Sequence, residues 1–461
     1  MISKIHPKHR GALYTLALTS FVMPMSVSSL NVALPTISGD LGASAVQTSW
    51  VVMAFAFIQG TGMFTAAWVA NRVGRKRIYL SGLVLSGVIL LLSSMATDIR
   101  MLIVLRLFQG ASAAMVFATT NAIIVSVFPT SQRGMVMGFT AGAVYLGITL
   151  GPVMGGFITS WFSWREVFIL PLPFLCVGLW LASDKLVLEP HVPSDAPFDW
   201  PGLFLFISTV ALALFGVSRV YEPVGWFAFM LSAASLVCFI KTEYKKDKPL
   251  VHVALFANNR IFGFACLSTF LSYSSSFSVG FLLSLYLQNI AGFAPDRAGL
   301  MLIVTAACMA VVTPFAGRLS DKYPARWLAS LGLMLNAIGL MLLARLDGSQ
   351  SISYVISAQI FIGIGFGFFS APNSNRIMSS VPSQYVGQAS ASIPTMRGVG
   401  NLASMSIVTA VFATYFGSSM ITGENSDALM DAISLSFSIT SIIAVLGAVA
   451  SLAKGRVAKG Y

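Results

Sequence analysis

The sequence predicts an all-α integral membrane protein of 14 transmembrane helices, arranged as six, two and six. Three observations carry that expectation. Of 461 residues, 56% are hydrophobic and only 10% charged, against about 25% charged in a soluble domain. Apolar stretches of the ~20 residues that cross a bilayer recur fourteen times along the chain. Lys and Arg alternate between the loops: with the N-terminus inside, 21 fall on the inner side and five (Arg100, Arg165, Arg219, Arg297 and Arg345) on the outer side. That bias places both termini in the cytoplasm and requires an even number of spans.

The first six spans read 11–35, 48–70, 78–97, 102–127, 135–158 and 166–183. Their breaks are polar or helix-stopping: Gly39–Asp40, the basic run Arg72–Arg77, Asp98–Arg100, Pro129–Gly134 and Trp164–Arg165. Residues 184–200 then bring three prolines and four acids, and 241–260 bring the basic run Lys245, Lys246 and Lys248. Between them lie two spans, 201–218 and 225–240. The final six are 261–289, 298–317, 327–344, 351–372, 386–415 and 432–453. The expected organisation is an N-terminal six-helix bundle (1–183), a linker with an inserted two-helix hairpin (184–260), a C-terminal six-helix bundle (261–453) and a cytoplasmic tail (454–461). The ten residues before the first span (Met1 to Arg10) read as a basic cytoplasmic tail, not a cleavable signal.

The same composition excludes other classes. A net charge of +12 suggests nucleic acid in a soluble protein, but here it reports basic inner loops beside anionic headgroups. Cys176, Cys238, Cys266 and Cys308 lie within apolar runs and have no disulfide or metal spacing. His6, His9, His191 and His252 lie in loops or tails, without ligand spacing. The chain has no P-loop and no paired acids or histidines at membrane depth, so neither ATP binding nor catalysis is expected, and no cofactor.

Two local similarities relate the halves. Ala67-Trp-Val-Ala-Asn71-Arg72 follows the second span as Gly317-Arg-Leu-Ser-Asp321-Lys322 follows the tenth. Pro129-Thr-Ser-Gln-Arg-Gly134 follows the fourth as Pro382-Ser-Gln-Tyr-Val-Gly387 follows the twelfth. The offsets are 250 and 253 residues, the spacing of six spans plus an inserted hairpin in a repeat-built transporter. Three further motifs stand on this frame: Ala67 to Arg77 (AWVANRVGRKR) between spans two and three, Leu105-Arg106-Leu-Phe-Gln109-Gly110 in the fourth span, and Gly147-Ile-Thr-Leu-Gly151-Pro152-Val-Met-Gly155-Gly156 in the fifth. With Asn31-Val-Ala-Leu-Pro35 in the first span and Trp164-Arg165 before the sixth, the whole chain resembles the major facilitator superfamily, specifically its fourteen-span drug:proton antiporter branch. The resemblance implies the major facilitator fold, a monomer in the bacterial inner membrane, and alternating-access export of small amphipathic molecules. It implies no enzymatic activity, and it leaves open which subunits, if any, carry substrate past an outer membrane.

The residues also have a physical reading. Gly147, Gly151 and Gly155 recur every fourth position, so one helix face admits a neighbouring backbone; Pro152 removes one helical hydrogen bond and bends that helix. Arg106 at membrane depth costs about 2.5–3.5 kcal/mol on insertion scales, so it should face the bundle interior and meet acceptors. The resemblance associates it with proton exchange, and structural pairing with backbone carbonyls is the other reading. In the family, Arg72, Gly74 and Arg75 belong to a conformational latch with an acid; here Asn71 replaces that acid in the first copy and Asp321 keeps it in the second. The family's first-span acid is replaced by Ser26, with Ser28 at its threonine position. All sixteen acids sit in loops or at helix ends, so proton coupling would use a boundary acid such as Asp40 or Glu166, or the mechanism differs.

Substrate expectations follow from those charges. The embedded charges, Arg106 and Arg397, are both positive and favour neutral or anionic substrates. Ser26, Ser28, Ser29 and Asn31 in the first span, and Tyr273 and Ser276 in its repeat mate, are candidate lining groups of a central cavity. Half of the serines are expected to bond their own helix instead. An uptake permease, an exporter of one neutral or anionic metabolite such as a siderophore, and a transport-dead sensor or scaffold are the competing readings.

Overall fold

A computed structural model describes residues 7–186, 198–219, 222–246, 249–251, 253–320, 322–347, 350–382, 385–417, 419–421 and 425–454. Its helices are α1 (Pro7–Asp40), α2 (Ala45–Val73), α3 (Arg75–Ser94), α4 (Ile99–Val127), α5 (Thr130–Trp161), α6 (Glu166–Ile169), α7 (Leu172–Lys185), α8 (Trp200–Ser218), α9 (Pro223–Tyr244), α10 (Val253–Asn258), α11 (Arg260–Ser276), α12 (Val279–Leu285), α13 (Pro295–Leu319), α14 (Ala325–Leu343), α15 (Ile352–Ser379), α16 (Val386–Phe416) and α17 (Ser426–Ser451). Fourteen stretches of these are long and apolar enough to cross a membrane, so the chain is a multi-pass membrane protein. The sixth span is broken at Pro171 into α6 and α7, and the ninth at Phe277–Ser278 into α11 and α12, which ends in a π-type turn at Tyr286–Ile290.

The first span is longer than its apolar run suggested. Asn31–Pro35 does not close it, because α1 continues through Pro24 and Pro35 to Asp40. Proline removes one donor without ending a helix whose neighbours fill the gap, and that is common in spans. The helix ends at Asp40, and the turn that follows passes through Gly42, whose φ of 59° few other residues adopt.

The chain forms two compact units. The first contains Met1–Ala43, Trp50–Phe198 and Gly292–Ile303, and the second Ser44–Ser49, Asp199–Ala291 and Val304–Tyr461. In the first unit the glycine ladder of α5 meets α1. A methyl group at Gly147 would overlap the Phe21 carbonyl, at Gly151 the Ser28 hydroxyl, and at Gly155 the Ser29 carbonyl. Gly156 lies on the adjoining face, against the Pro295 carbonyl, while Gly299 reciprocates against the carbonyl of Pro152. Backbone meets backbone along three turns.

Within the second unit, α8 and α9 form the inserted hairpin. Gly225 closes it against the carbonyl of Arg219. Its base is ionic: Lys246 bridges Asp199 and the fully buried carboxyl of Glu243, which also accepts the Val251 N–H at 2.9 Å. Gly202 is required here, since a methyl would lie 2.5 Å from an Asp199 oxygen and 2.7 Å from a Glu243 oxygen. Burial raises the Asp199 pKa, but the bonds from Glu243, Lys246 and the Gly202 N–H outweigh it and hold the carboxyl below its usual range. Also in this unit, α11 and α12 pack with α16 through Ser404, which bonds the Ser278 hydroxyl at 3.0 Å and accepts the Ser278 N–H at 3.1 Å.

Gly151→Leu with Gly155→Leu should prevent assembly of the first unit. Ordinary overpacking costs about 1–3 kcal/mol, and here the obstacle is backbone that cannot turn aside. Gly142→Leu, on the same helix but with nothing within 4 Å of its added carbon, should leave folding intact. Size-exclusion chromatography and thermal unfolding in detergent would check both. A monodisperse double mutant of native stability would remove the seam.

Candidate functional site

Among the described residues, Arg106 is the largest fully buried side chain. It projects from α4, where helical spacing also brings Gln109 to its side. Its Nε donates to the Val51 carbonyl of α2 at 3.0 Å, and one terminal nitrogen donates to Gln109 Oε1 at 2.6 Å. The guanidinium carbon lies 4.5 Å from the centre of the Phe55 ring. Gly110 makes this possible, because any side chain there would strike the Phe55 carbonyl and push α2 away. No carboxylate joins the group among the described residues. Its remaining terminal nitrogen has no hydrogen-bond partner. A delocalised cation is thus held by a carbonyl, an amide oxygen and an aromatic face, with one donor still to be satisfied.

The second embedded arginine sits differently. Arg397 on α16 is half-buried, its guanidinium 5.3 Å from the Tyr273 ring centre on α11, and its Nε has no partner. Asn401, one turn further along α16, carries a buried oxygen with no partner. Gly400 lets the two helices close here, since a methyl would come within 2.8 Å of Tyr273 Cβ. Tyr273 meets Phe366 of α15 edge-on at 5.2 Å. Cation, ring faces and carboxamide therefore share one region of the second unit, which suits a flat ligand with acceptor atoms at its edge.

The serines divide less generously than expected. Ser26, Ser28 and Ser29 all donate to carbonyls of their own helix: Met23 at 2.8 Å, Pro24 at 2.9 Å and Met25 at 2.7 Å respectively. Ser28 and Ser29 lie in the seam with α5, and only Ser28 reaches across it, to Gly147 O at 3.3 Å. Asn31 is half-buried on α1. Ser276 is engaged by Asn336 of α14, whose Nδ2 donates to it at 2.8 Å. Asn336 is fully buried, its oxygen is without a partner, and it had no signal in the sequence beyond being an amide in an apolar span.

The loop motif is a helix-capping device. Gly74 separates α2 from α3 at a φ of 117°, in the region that favours glycine. Arg75 then donates to the Ala122 carbonyl of α4 at 3.2 Å, and Lys76 to the Ser183 carbonyl near the end of α7 at 2.8 Å, where cations satisfy helix C-termini. Arg72 lies over Trp68 at 5.5 Å, and Asn71 is exposed. Asp321 lies outside the described residues. At the opposite end of the first unit, Asp40 accepts from Trp164 Nε1 at 2.8 Å and from Arg165 at 3.0 Å. Glu166, the other boundary acid, has a buried carboxyl oxygen with no partner.

The chain is similar to several known proteins. The family model described as Major Facilitator Superfamily matches residues 16–264 and 265–459. The riboflavin transporter RibZ of Clostridioides difficile is 29% identical over 408 residues, 87% of this chain and 86% of that protein. The multidrug export protein EmrB of Haemophilus influenzae is 27% identical, over 88% and 82% of the two chains. The multidrug resistance protein Stp of Mycobacterium tuberculosis is 26% identical, over 89% and 78%. Among solved structures, a bacterial homologue of the human lysosomal transporter Spinster, inward-facing and unoccupied, aligns over 97% of both chains with a TM-score of 0.68 at 15% identity. That likeness is one of fold.

Arg106→Ala should fold and insert yet lose transport by about tenfold or more, since a charge-assisted hydrogen bond is worth about 1.5–3 kcal/mol. Arg106→Lys should fail similarly, because an ammonium cannot both stack on Phe55 and fork to Val51 and Gln109. Flux per folded molecule in proteoliposomes checks this; wild-type flux in either variant would make the arginine purely structural.

Proposed function

The chain belongs to the Major Facilitator Superfamily, and on that premise we propose that it is a secondary active exporter of small, neutral or anionic amphipathic molecules. It would work as a monomer by alternating access in the bacterial inner membrane, both termini cytoplasmic, in exchange for protons. One observation carries the substrate class. Neither Arg106 nor Arg397 is joined by a carboxylate among the described residues, and the fully buried Glu243 is held by Lys246 at the hairpin base. A lipophilic cation therefore meets no carboxylate beside either arginine, whereas acceptor-rich ligands meet unpartnered donors there. The relatives named for multidrug export and resistance support outward transport.

For the coupling proton we favour Glu166 over Asp40. Asp40 is already committed to Trp164 and Arg165, while an oxygen of Glu166 is buried with no hydrogen-bond partner. A second reading has its own observation: the riboflavin transporter relative supports movement of a flavin, in either direction.

Everted membrane vesicles should accumulate riboflavin or another planar neutral or anionic compound when acidified inside, and should not concentrate quaternary ammonium dyes. Glu166→Gln should remove the dependence on the proton gradient while leaving downhill exchange. Strong dye accumulation by the wild-type protein would overturn the substrate class, and riboflavin entering intact cells faster than it leaves would favour uptake. Ser26→Asp introduces a proton-binding group where the branch carries its acid; it should change the pH dependence of flux and admit the dyes. An unchanged pH profile would remove residue 26 from the transport path.

A further inference from the structure

The packing that holds Arg106 recurs in the second unit with different chemistry. Arg106-Leu-Phe-Gln109-Gly110 of α4 lines up with Gln359-Ile-Phe-Ile362-Gly363 of α15 at the 253-residue offset of the repeat, and Phe55 of α2 lines up with Thr305 of α13 at the 250-residue offset. The correspondence is physical. A methyl group at Gly110 would strike the Phe55 carbonyl, and one at Gly363 would strike the Thr305 carbonyl. Each glycine thus brings the same pair of helices into the same close approach, and each places a polar side chain one turn before it.

Gln359 is fully buried. Its Oε1 accepts from the Thr305 hydroxyl at 3.2 Å, which fixes the amide, and its Nε2 has no hydrogen-bond partner. In the first unit Gln109 takes up one terminal nitrogen of Arg106. Its counterpart in the second is Ile362, which can accept nothing. A leucine or methionine at 359 would fill the space without burying an unmet donor. The two equivalent positions share a further feature: each leaves one buried N–H donor unmet.

We propose that Gln359 is a ligand-binding donor of the second six-span half, the neutral counterpart of Arg106, and that it takes an uncharged acceptor such as a carbonyl or imide oxygen or a ring nitrogen. A carboxamide adds direction without charge, so it selects the acceptor edge of a polar heterocycle over a carboxylate. The site deepens the transporter reading above and rests on it. Tyr273, Phe366 and Arg397 supply flat and cationic surface elsewhere in the same unit.

Two measurements test it. In a background with Cys176, Cys238, Cys266 and Cys308 replaced, Gln359→Cys should react with the small water-soluble thiol reagent MTSEA in membrane vesicles, while Leu333→Cys, in the α14 core, should not. Gln359→Leu should raise the KM for riboflavin by about tenfold, the loss of one neutral hydrogen bond, without lowering thermal stability. Absence of labelling in Gln359→Cys overturns the assignment whatever the wild type transports, and so does labelling there combined with an unchanged KM in Gln359→Leu. If the wild-type protein moves no riboflavin, the flavin reading fails, and labelling of the Gln359→Cys variant alone decides: reaction upholds the donor and its absence removes it.

Discussion

Everything in this protein depends on helices approaching until their backbones touch. In lipid, apolar side chains gain little by leaving one hydrocarbon for another, so association comes from close packing and interhelical hydrogen bonds. Glycine permits both. Gly147, Gly151 and Gly155 press α5 onto α1, Gly110 presses α4 onto α2, and Gly332, Gly339 and Gly365 press α14 onto α15. At each contact an added methyl would meet main chain or a side chain within 3.0 Å. Sites follow from seams: Arg106 lies one turn from Gly110, and Arg397 one turn from Gly400.

A second constraint is the handling of charge. A buried charge must find partners or be absent, and the partners differ by place. Arg106 uses a carbonyl, an amide and a ring. Arg376 caps the end of α17 through the Ser451 and Ala453 carbonyls. Glu243 is met by Lys246 and the Val251 N–H. Near the helix ends, the ion pairs of Asp40 with Arg165 and of Arg219 with Glu222 are half-exposed and worth little in themselves. Apart from carboxyl oxygens of Asp199 and Glu166 at helix ends, the buried groups left open among the described residues are neutral acceptors and neutral or cationic donors.

How much of this was legible in the sequence varied with the range of the interaction. Span number and the glycine ladder depend on local composition and helical spacing, so they could be read directly. The break at Phe277–Ser278 and the continuation of α1 past Pro35 could not, because each is decided by neighbours: Ser404 and Asn336 reach the broken span, and packing carries α1 through its prolines. Ser26, Ser28 and Ser29 read as lining because a hydroxyl carries no mark of direction, and each donates to a carbonyl of its own helix. Asp40 reads as a free boundary acid in the sequence because its donors, Trp164 and Arg165, lie more than a hundred positions away.

The repeat shows where the halves kept their mechanics and where they changed their chemistry. Gly110 and Gly363 make the same approach, yet Arg106 with Gln109 becomes Gln359 with Ile362. Gly151, against the Ser28 hydroxyl, corresponds to Ser404, which bonds Ser278: a steric fit in one half is a hydrogen bond in the other. Substitutions that merely preserved packing would have replaced polar groups by apolar ones of equal size, since an unmet buried donor destabilises without compensation. Ile362, where the first half has Gln109, fits that pattern; Gln359, one turn before it, does not. Two positions one helical turn apart, under the same packing demand, differ in polarity. Packing alone therefore does not account for the amide: its oxygen holds the Thr305 hydroxyl, and its Nε2 is the donor proposed above for a ligand.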